Sequence, residues 1–399
     1  MKKLMILGGL RYLIPVIEAA HKQGYYVITA DYSPDNIAHK YSDEYANVSI
    51  VDKEAVLQEA KKREIDGIIS FAVDPGVITA AYVQQEMNLP SMGPFESVNI
   101  LQHKDKFRAF LTENGFNVPK AKGYNSKADV YEDINTLVYP LMVKPSDSAG
   151  SKGVSRVDSV VELDKAVEYA FKNSIKGNIV IEDFIEQVGY ASDSDSFSLN
   201  GEMKVITFSA QRFDKTAANP YTPSAFSWPC TYSESQQQEL KSELQRLVSL
   251  LKMNTSVYNI ETRIGKDGKP YIMEVSPRGG GNRLSEMIRY STGVDFIKAA
   301  VRAAIGDSVE IYPQQLNGHW AEVILHADKN GRFVELKISE EFRNRYVFQI
   351  DLWVKKGDAV ESFNGANNSI GTLILKFDSQ EKLESVLSEQ KKWFEVVVE

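Results

Sequence analysis

Two acids thirteen positions apart, Glu261 and Glu274, stand on the two arms of a stretch that reads as a hairpin. Residues 257–264 and 270–275 have strand character, and the Asp267-Gly268 pair within residues 266–269 favours a tight turn. Pairing the arms brings both carboxylates into one neighbourhood, where like charges repel unless a cation sits with them. A magnesium ion that bridges phosphate oxygens suits that role. Beyond the second arm come Arg278, a forked donor for phosphate or carboxylate, and Gly279, Gly280 and Gly281, which let a backbone approach a ligand closely. Upstream, an apolar run ends in Lys144-Pro145 and passes into small residues at 146–153. Free amides wrapped around oxygens, with a lysine as point charge, are what a polyphosphate needs. The run is not a P-loop, because no Gly-Lys-Ser/Thr opens a helix there. Taken singly, the hairpin also reads as a surface turn with solvated acids and the loop as a polar connection.

The elements that must position these residues follow in order. An apolar run at residues 2–9 ends in Gly8-Gly9, a helical pattern carries Leu13, Val16, Ile17 and Ala20, and residues 25–30 are apolar again, ending at Asp31. With a helix at 53–63, a buried strand at 65–71 and a helix at 77–87, this is the start of a parallel doubly wound domain. Ligands gather beyond strand carboxyl ends in such sheets, so Asp31, Asp74 and the Gly8-Gly9 turn are its candidate contacts. A boundary is expected near residues 90–94, then one helix over 99–114. Ser159 with Glu162, and Asp378 with Glu381, read as capping boxes. Strands are expected at 178–186, 197–199 and 203–209, with an irregular segment at 210–233 and a core helix carrying Leu240, Leu244, Leu247, Val248 and Leu251. A helix runs from 293 to 306, and the last ninety or so residues read as a smaller, mostly β unit.

The chain has 399 residues, 43% of them hydrophobic and 25% charged, enough for two or three domains with sizeable cores. A net charge of -8 argues against non-specific nucleic-acid binding, and no apolar run approaches the length of a bilayer span. The opening MKKLMILGGLRYL reads as a strand, since its apolar run is too short and too soon followed by Arg11 and Glu18 for a signal peptide. With one cysteine, Cys230, no internal disulfide can form, and a cytoplasmic location is expected.

In this order the motifs resemble the ATP-grasp superfamily of carboxylate ligases, which includes biotin carboxylase, glycinamide ribonucleotide synthetase and the L-amino acid ligases. The resemblance covers residues 1–305, and the C-terminal part fits more loosely. It implies a mixed α/β and α+β architecture: a doubly wound N-terminal domain over 1–95, an ATP-grasp domain over 96–305 with its flap subdomain at about 120–184 and metal-binding core at about 185–305, and a small β-rich domain over 306–399. It also implies roles. Asp105-Lys106 matches the family's Asp-Lys, whose lysine reaches ATP phosphates, and Lys144 matches a second such lysine. Residues 146–154, with Ser148, Gly150, Ser151, Gly153 and Val154, match the flap over the phosphates. Glu182, Asp183, Phe184 and Ile185 look like the adenine hinge. Glu261 and Glu274 match the magnesium-binding acids, and Arg278 matches the arginine that holds the phosphorylated intermediate.

Three positions depart from the family pattern. Alanine stands at Ala191 where a glutamate takes the ribose hydroxyls, with Asp193 as the nearby substitute. Ser276 replaces the asparagine that completes the metal shell, so it would act as a weaker ligand or through water. The flap PSDSAGSKG is closer to the amino-acid ligase type than to the carboxylases. The implied cofactors are ATP and magnesium, or manganese in its place, and the partners are a small-molecule carboxylic acid and an amine, with no nucleic acid and no membrane; a homodimer is common in the family. Arg212 and Lys215 are expected near the acid. The implied reaction is ADP-forming ligation through an acylphosphate. A purine enzyme resembling phosphoribosylamine-glycine ligase and a non-catalytic ATP-binding regulatory protein are the alternatives.

Overall fold

The structure is a computed structural model that describes residues 1–147 and 152–399. The chain divides into two compact units, each assembled from several stretches. The first comprises Met1–Ala121, Ser194–Thr207 and Ser233–Gln314; the second comprises Lys122–Asp193, Phe208–Tyr232 and Gln315–Glu399.

In the first unit, the apolar runs Lys3–Leu7, Tyr26–Asp31 and Gly67–Ser70 join Glu44–Asn47 in a four-stranded parallel sheet. The order from one edge is Glu44–Asn47, Tyr26–Asp31, Lys3–Leu7, Gly67–Ser70, the doubly wound start expected from the alternation of strands and helices. Glu44–Asn47 escaped the sequence reading because only Ala46 of its four residues is buried, so an edge strand carries almost no apolar signal. The expected single helix at 99–114 is two, Phe95–Gln102 and Lys104–Glu113, broken at His103, which takes extended dihedrals (φ −118°, ψ 111°) while its Nδ1 lies 2.8 Å from the Asn99 carbonyl oxygen.

The same unit holds a sheet of two antiparallel hairpins in the order Glu202–Ile206, Ser192–Leu199, Ser256–Ile264, Pro270–Ser276. Its outer turn uses Asn200 and Gly201 at φ +53° and +80°, the left-handed pair a two-residue hairpin requires. The helix Glu234–Leu250 opens with a capping box between Ser233 and Gln236 and packs its buried Leu240, Leu244, Leu247 and Val248 on this sheet. The helix Phe296–Ile305 lies so close to the strand Gly67–Ser70 that a Cβ on Gly67 would sit 2.0 Å from the Ala304 carbonyl oxygen.

In the second unit, Ala121–Tyr124, Ile179–Asp183, Leu141–Pro145 and Ser155–Val157 form a four-stranded sheet in that order under the helix Val160–Asn173, the last three strands antiparallel. Ser159 stands at that helix's N-cap without a side-chain bond; Glu162 instead accepts the amide of Asp158 at 2.8 Å, so the expected box is half made and shifted by one residue. A five-stranded sheet follows the order Ala210–Phe213, Pro223–Trp228, His319–His326, Ser369–Phe377, Val347–Leu352. Its first two strands fall in the segment expected to be irregular. They were hidden because polar residues are buried there in pairs: Gln211 and Arg212 are inside, and Arg212 reaches Glu384 at 2.7 Å. Proline is tolerated as the first residue of Pro223–Trp228, where no ladder donor is lost. A three-stranded sheet, Ala359–Val360, Gly331–Ile338, Phe394–Val398, and the helices Glu340–Tyr346 and Gln380–Ser388 enclose an aromatic core around Phe333, Phe342 and Phe377. The last of these helices is capped by Ser379 through the Lys382 amide rather than by Asp378. No helix among the described residues is long and apolar enough to cross a membrane.

The approach at Gly67 leaves no room for even a methyl group. A Gly67→Ala substitution is expected to destabilise the protein by about 1–3 kcal/mol, the usual cost of overpacking a tight core. A calorimetric midpoint equal to that of the wild type would show that the helix yields without cost.

Candidate functional site

The hairpin builds the first half of the site. Ser256–Ile264 and Pro270–Ser276 pair antiparallel with Glu261 directly opposite Glu274, and a bulge follows at Thr262. At the tip the Gly268 amide bonds the Gly265 carbonyl and Asp267 takes the Lys269 amide and the Tyr271 hydroxyl, so the turn begins one residue before the expected one. Two carboxylates directly opposite each other repel, and each is matched by a cation. Arg263 Nη2 lies 2.8 Å from Glu261 Oε1, and Lys104 Nζ lies 3.2 Å from Glu274 Oε2. Burial would lower the Lys104 pKa, but Glu274 and Asp74 raise it above its usual value, so it stays an ammonium.

The second half comes from the parallel sheet, two hundred residues earlier. Asp74, beyond the carboxyl end of Gly67–Ser70, accepts Arg278 Nε at 2.8 Å on Oδ1 and Nη2 at 2.6 Å on Oδ2, a fork-to-fork pair. Burial alone would raise the Asp74 pKa; the Arg278 guanidinium and the Ser276 hydroxyl outweigh it and hold the carboxyl below its usual range. Ser276 Oγ donates to Asp74 Oδ1 at 2.9 Å and accepts from Gln102 Nε2 at 2.8 Å. The serine expected beside the metal is thus buried in a hydrogen-bond chain that fixes Arg278. Gly279 is pressed against the Phe71 ring, where a Cβ would come within 2.1 Å, and its carbonyl takes the Ala72 amide at 2.9 Å.

Asp195 was missed by the sequence reading. It is wholly buried on Ser192–Leu199 and accepts the Gly280 amide at 2.8 Å, the Ser285 hydroxyl and the Asn259 side-chain amide at 3.4 Å. Burial pushes its pKa up to about 6, against the lowering effect of those donors.

In the second unit, Lys144 forms an ion pair with Glu182 across the adjacent strands Leu141–Pro145 and Ile179–Asp183, with side chains 13% and 1% exposed. Phe184 donates its amide to Pro140 at 3.1 Å, and the Arg156 guanidinium lies 4.3 Å from the centre of its ring. Asp183 and Ile185 flank it half-buried, as does Val154 farther upstream. Gly153 adopts φ +75° against Pro145 and Asn173. Ser148, Gly150 and Ser151 lie outside the described residues. Asp193 carries Gln211 Nε2 at 3.4 Å, and Ala191 is buried with its carbonyl on the Gln211 amide.

The structure therefore brings Glu261, Glu274, Ser276 and Arg278 together with Lys104, Asp74 and Gln102. Lys106 is exposed two positions along the helix Lys104–Glu113, and it is Lys104 that meets the acids. Of the three contacts expected around the parallel sheet, only Asp74 joins them. Gly9 is packed beneath Asn36 and His39, and Asp31 caps the Ser33 amide at 2.8 Å. Two carboxylates facing each other across a hairpin are a hard-oxygen donor set that fits magnesium, with Lys104 and Arg263 supplying countercharge.

Two measurements check this account. Asp74→Ala strands the buried Arg278 guanidinium and is expected to lower stability by about 3–5 kcal/mol, read from denaturant midpoints. Asp195 should act in the opposite sense. Its folded pKa is raised, so below about pH 4 both states hold the proton and nothing is lost; between about pH 4 and 6 only the unfolded carboxyl ionises, and folding weakens as pH rises. Asp195→Asn should therefore gain stability relative to wild type by about 2–3 kcal/mol between pH 4 and pH 7. A gap that does not change with pH would overturn the assignment.

Three comparisons bear on what this geometry belongs to. Residues 137–286 match the model of the ATP-grasp domain. The large chain of carbamoyl phosphate synthase from Thermotoga neapolitana is 24% identical over 324 residues, covering 77% of this chain but only 29% of that protein. The chain thus spans under a third of the length of this relative. The crystal structure of L-amino acid ligase from Bacillus licheniformis superposes with a TM-score of 0.83 at 23% identity, over 100% of this chain and 99% of that one. The biotin carboxylase domain dimer of the 2-oxoglutarate carboxylase from Hydrogenobacter thermophilus, in complex with magnesium ADP and bicarbonate, gives 0.73 at 16% identity, over 100% and 91%. With a doubly wound start, an acid-bearing hairpin and a domain model matched over residues 137–286, the chain contains an ATP-grasp domain and has the fold of these structures.

Proposed function

We propose that the protein is an ATP- and magnesium-dependent ligase that joins an amino-acid-like carboxylic acid to an amine through an acylphosphate. The observation that carries this reading is the register of the hairpin, which sets Glu261 opposite Glu274 with Lys104 and the Asp74-held Arg278 alongside. Glu261 and Glu274 would hold magnesium, which would supply charge neutralisation at the phosphates. In this reading Lys144, Glu182 and the 182–185 hinge bind the nucleotide. Glu182 would take the adenine amino group, Phe184 would present backbone groups to the base, and Asp193 would stand in for the ribose contact. Residues 146–154, Lys106 among the outer lysines, and Lys104 would meet phosphate oxygens.

A substrate carboxylate oxygen attacks the γ-phosphorus and the bond to the β-γ bridging oxygen breaks, releasing ADP. Arg278, kept in one orientation by Asp74, then faces the anionic acylphosphate with its remaining donors. The amine attacks the acyl carbon, the carbon-oxygen bond breaks, phosphate leaves and the amine proton passes to solvent. A closed flap would exclude water, whose attack would only hydrolyse the anhydride. A homodimer, as in the crystallised biotin carboxylase domain, and a cytoplasmic location accompany this reading.

One observation favours a second reading. Ser276 is engaged by Asp74 and Gln102, and alanine stands at Ala191 where the resemblance implies a ribose-binding acid, so a chain that binds ATP without turnover is the alternative. Phosphate and ADP release should be measured with magnesium-ATP across a panel of carboxylic acids and amines. The ligase reading expects release that depends on a matched pair and falls at least a hundredfold in Glu274→Ala. Tight ATP binding with no release from any pair would leave the regulatory reading standing, and equal release from Glu274→Ala would remove the metal role.

A further inference from the structure

The second unit holds a group of metal-ligating side chains that the ligase chemistry does not use. Asp214, His326 and Asp328 each turn a ligand atom to a common point, all within 4.8 Å of one another. His326 Nε2 lies 3.4 Å from Asp214 Oδ2. Ligands held at about 2.1 Å in a tetrahedral zinc shell are about 3.4 Å apart, so these two atoms already sit at the spacing of a shared metal.

The proton inventory gives a second, independent reason. His326 Nδ1 lies 2.8 Å from the Ile324 carbonyl oxygen. A carbonyl can only accept, so Nδ1 carries hydrogen, and in the neutral ring Nε2 presents a bare lone pair. That lone pair faces a carboxylate oxygen, which also only accepts, and the His326 side chain is only 10% exposed. Two acceptors facing each other are joined either by a proton on Nε2 or by a metal cation, and a ring oriented by an Nδ1–H···O=C bond is the usual arrangement of a metal-binding histidine. The ring is further fixed by stacking on Phe363, centroids 4.1 Å apart at 17°. Asp214 is aimed in the same way: Oδ1 is taken by the Thr216 amide at 2.8 Å and hydroxyl at 2.6 Å, which turns Oδ2 to the histidine. Asp328 is exposed enough to swing and pairs with Lys391 Nζ at 2.6 Å, so an ammonium occupies the place of the countercharge.

We propose that Asp214, His326 and Asp328 bind a transition-metal dication of the zinc class, with Lys391 as the group it displaces from Asp328. One imidazole and two carboxylates form a borderline ligand set suited to zinc rather than to calcium, with a fourth position left for water. The site fastens a loop. Asp214 opens the connection from Ala210–Phe213 to Pro223–Trp228, whereas His326 and Asp328 belong to the end of His319–His326. Farther along that connection, Asn219 already bonds the Phe363 and Asn364 carbonyls, each at 3.2 Å. A metal at Asp214 secures its near end and holds Lys215 beside it. The site stands independently of the ligase reading.

The test uses the full-length protein, stripped with a chelator, dialysed into excess magnesium to fill the hairpin acids, and titrated calorimetrically with zinc chloride. One zinc per chain is expected. His326→Gln and Asp214→Asn should weaken it at least tenfold, and Lys391→Met, which removes the competing ammonium, should tighten it. Zinc should also slow proteolytic cleavage between residues 214 and 222 in the wild type and not in His326→Gln. Circular dichroism checks that each variant folds, and Lys391→Met carries the test if His326→Gln does not. Zinc binding that is equal in wild type and His326→Gln, unchanged in Lys391→Met, or lost only in Glu274→Ala overturns the proposal. The first of these results would leave His326 as an imidazolium paired with Asp214.

Discussion

Repulsion between Glu261 and Glu274 is the constraint around which the first unit is organised. Strand pairing forces the two carboxylates opposite each other, and the protein meets the resulting charge with side chains from two directions. Arg263 comes from the same hairpin and Lys104 from the first turn of a helix. Asp74 then balances Lys104 and Arg278 together, so acids and bases alternate from the hairpin to the edge of the parallel sheet. Such a chain is stable only while every member keeps its partner, because a buried charge left alone costs more than the pair contributes.

Balance of this kind also determines how the site can change. On the proposed reading a polyphosphate brings negative charge and a dication positive, so the two would arrive together for Lys104 to leave Glu274 without stranding either. Lys144 and Glu182 present the same pairing in the second unit, where a lysine is matched by a glutamate on the adjacent strand.

Much of this was legible in the sequence, and the limits have physical causes. The hairpin, its facing acids, the doubly wound start and the core helix 234–250 follow from alternation, turn chemistry and leucine spacing. Lys104 was not singled out, because a helix start with Lys104 and Lys106 gives no local sign of which one turns toward the hairpin. Asp74 could not be tied to Arg278, since a pair two hundred positions apart leaves no periodic trace. Asp195 was hidden differently. In Ser192–Leu199 the first five residues alternate serine and aspartate, and a strand whose buried members are small polar groups bonded to Thr207, Ser285 and Gly280 shows no apolar pattern to read. Polar burial likewise concealed Ala210–Phe213 and Pro223–Trp228.

The seat of Gly279 has a consequence for observing this molecule. Its carbonyl is held by the Ala72 amide while its α-carbon rests on the Phe71 ring, so the turn carrying Arg278 cannot lift without breaking that one backbone bond. The Ala72 proton is therefore a natural gauge. Its exchange with deuterated solvent records how often the arginine turn leaves its seat, in a protein that needs no label, no substitution and no knowledge of the substrate.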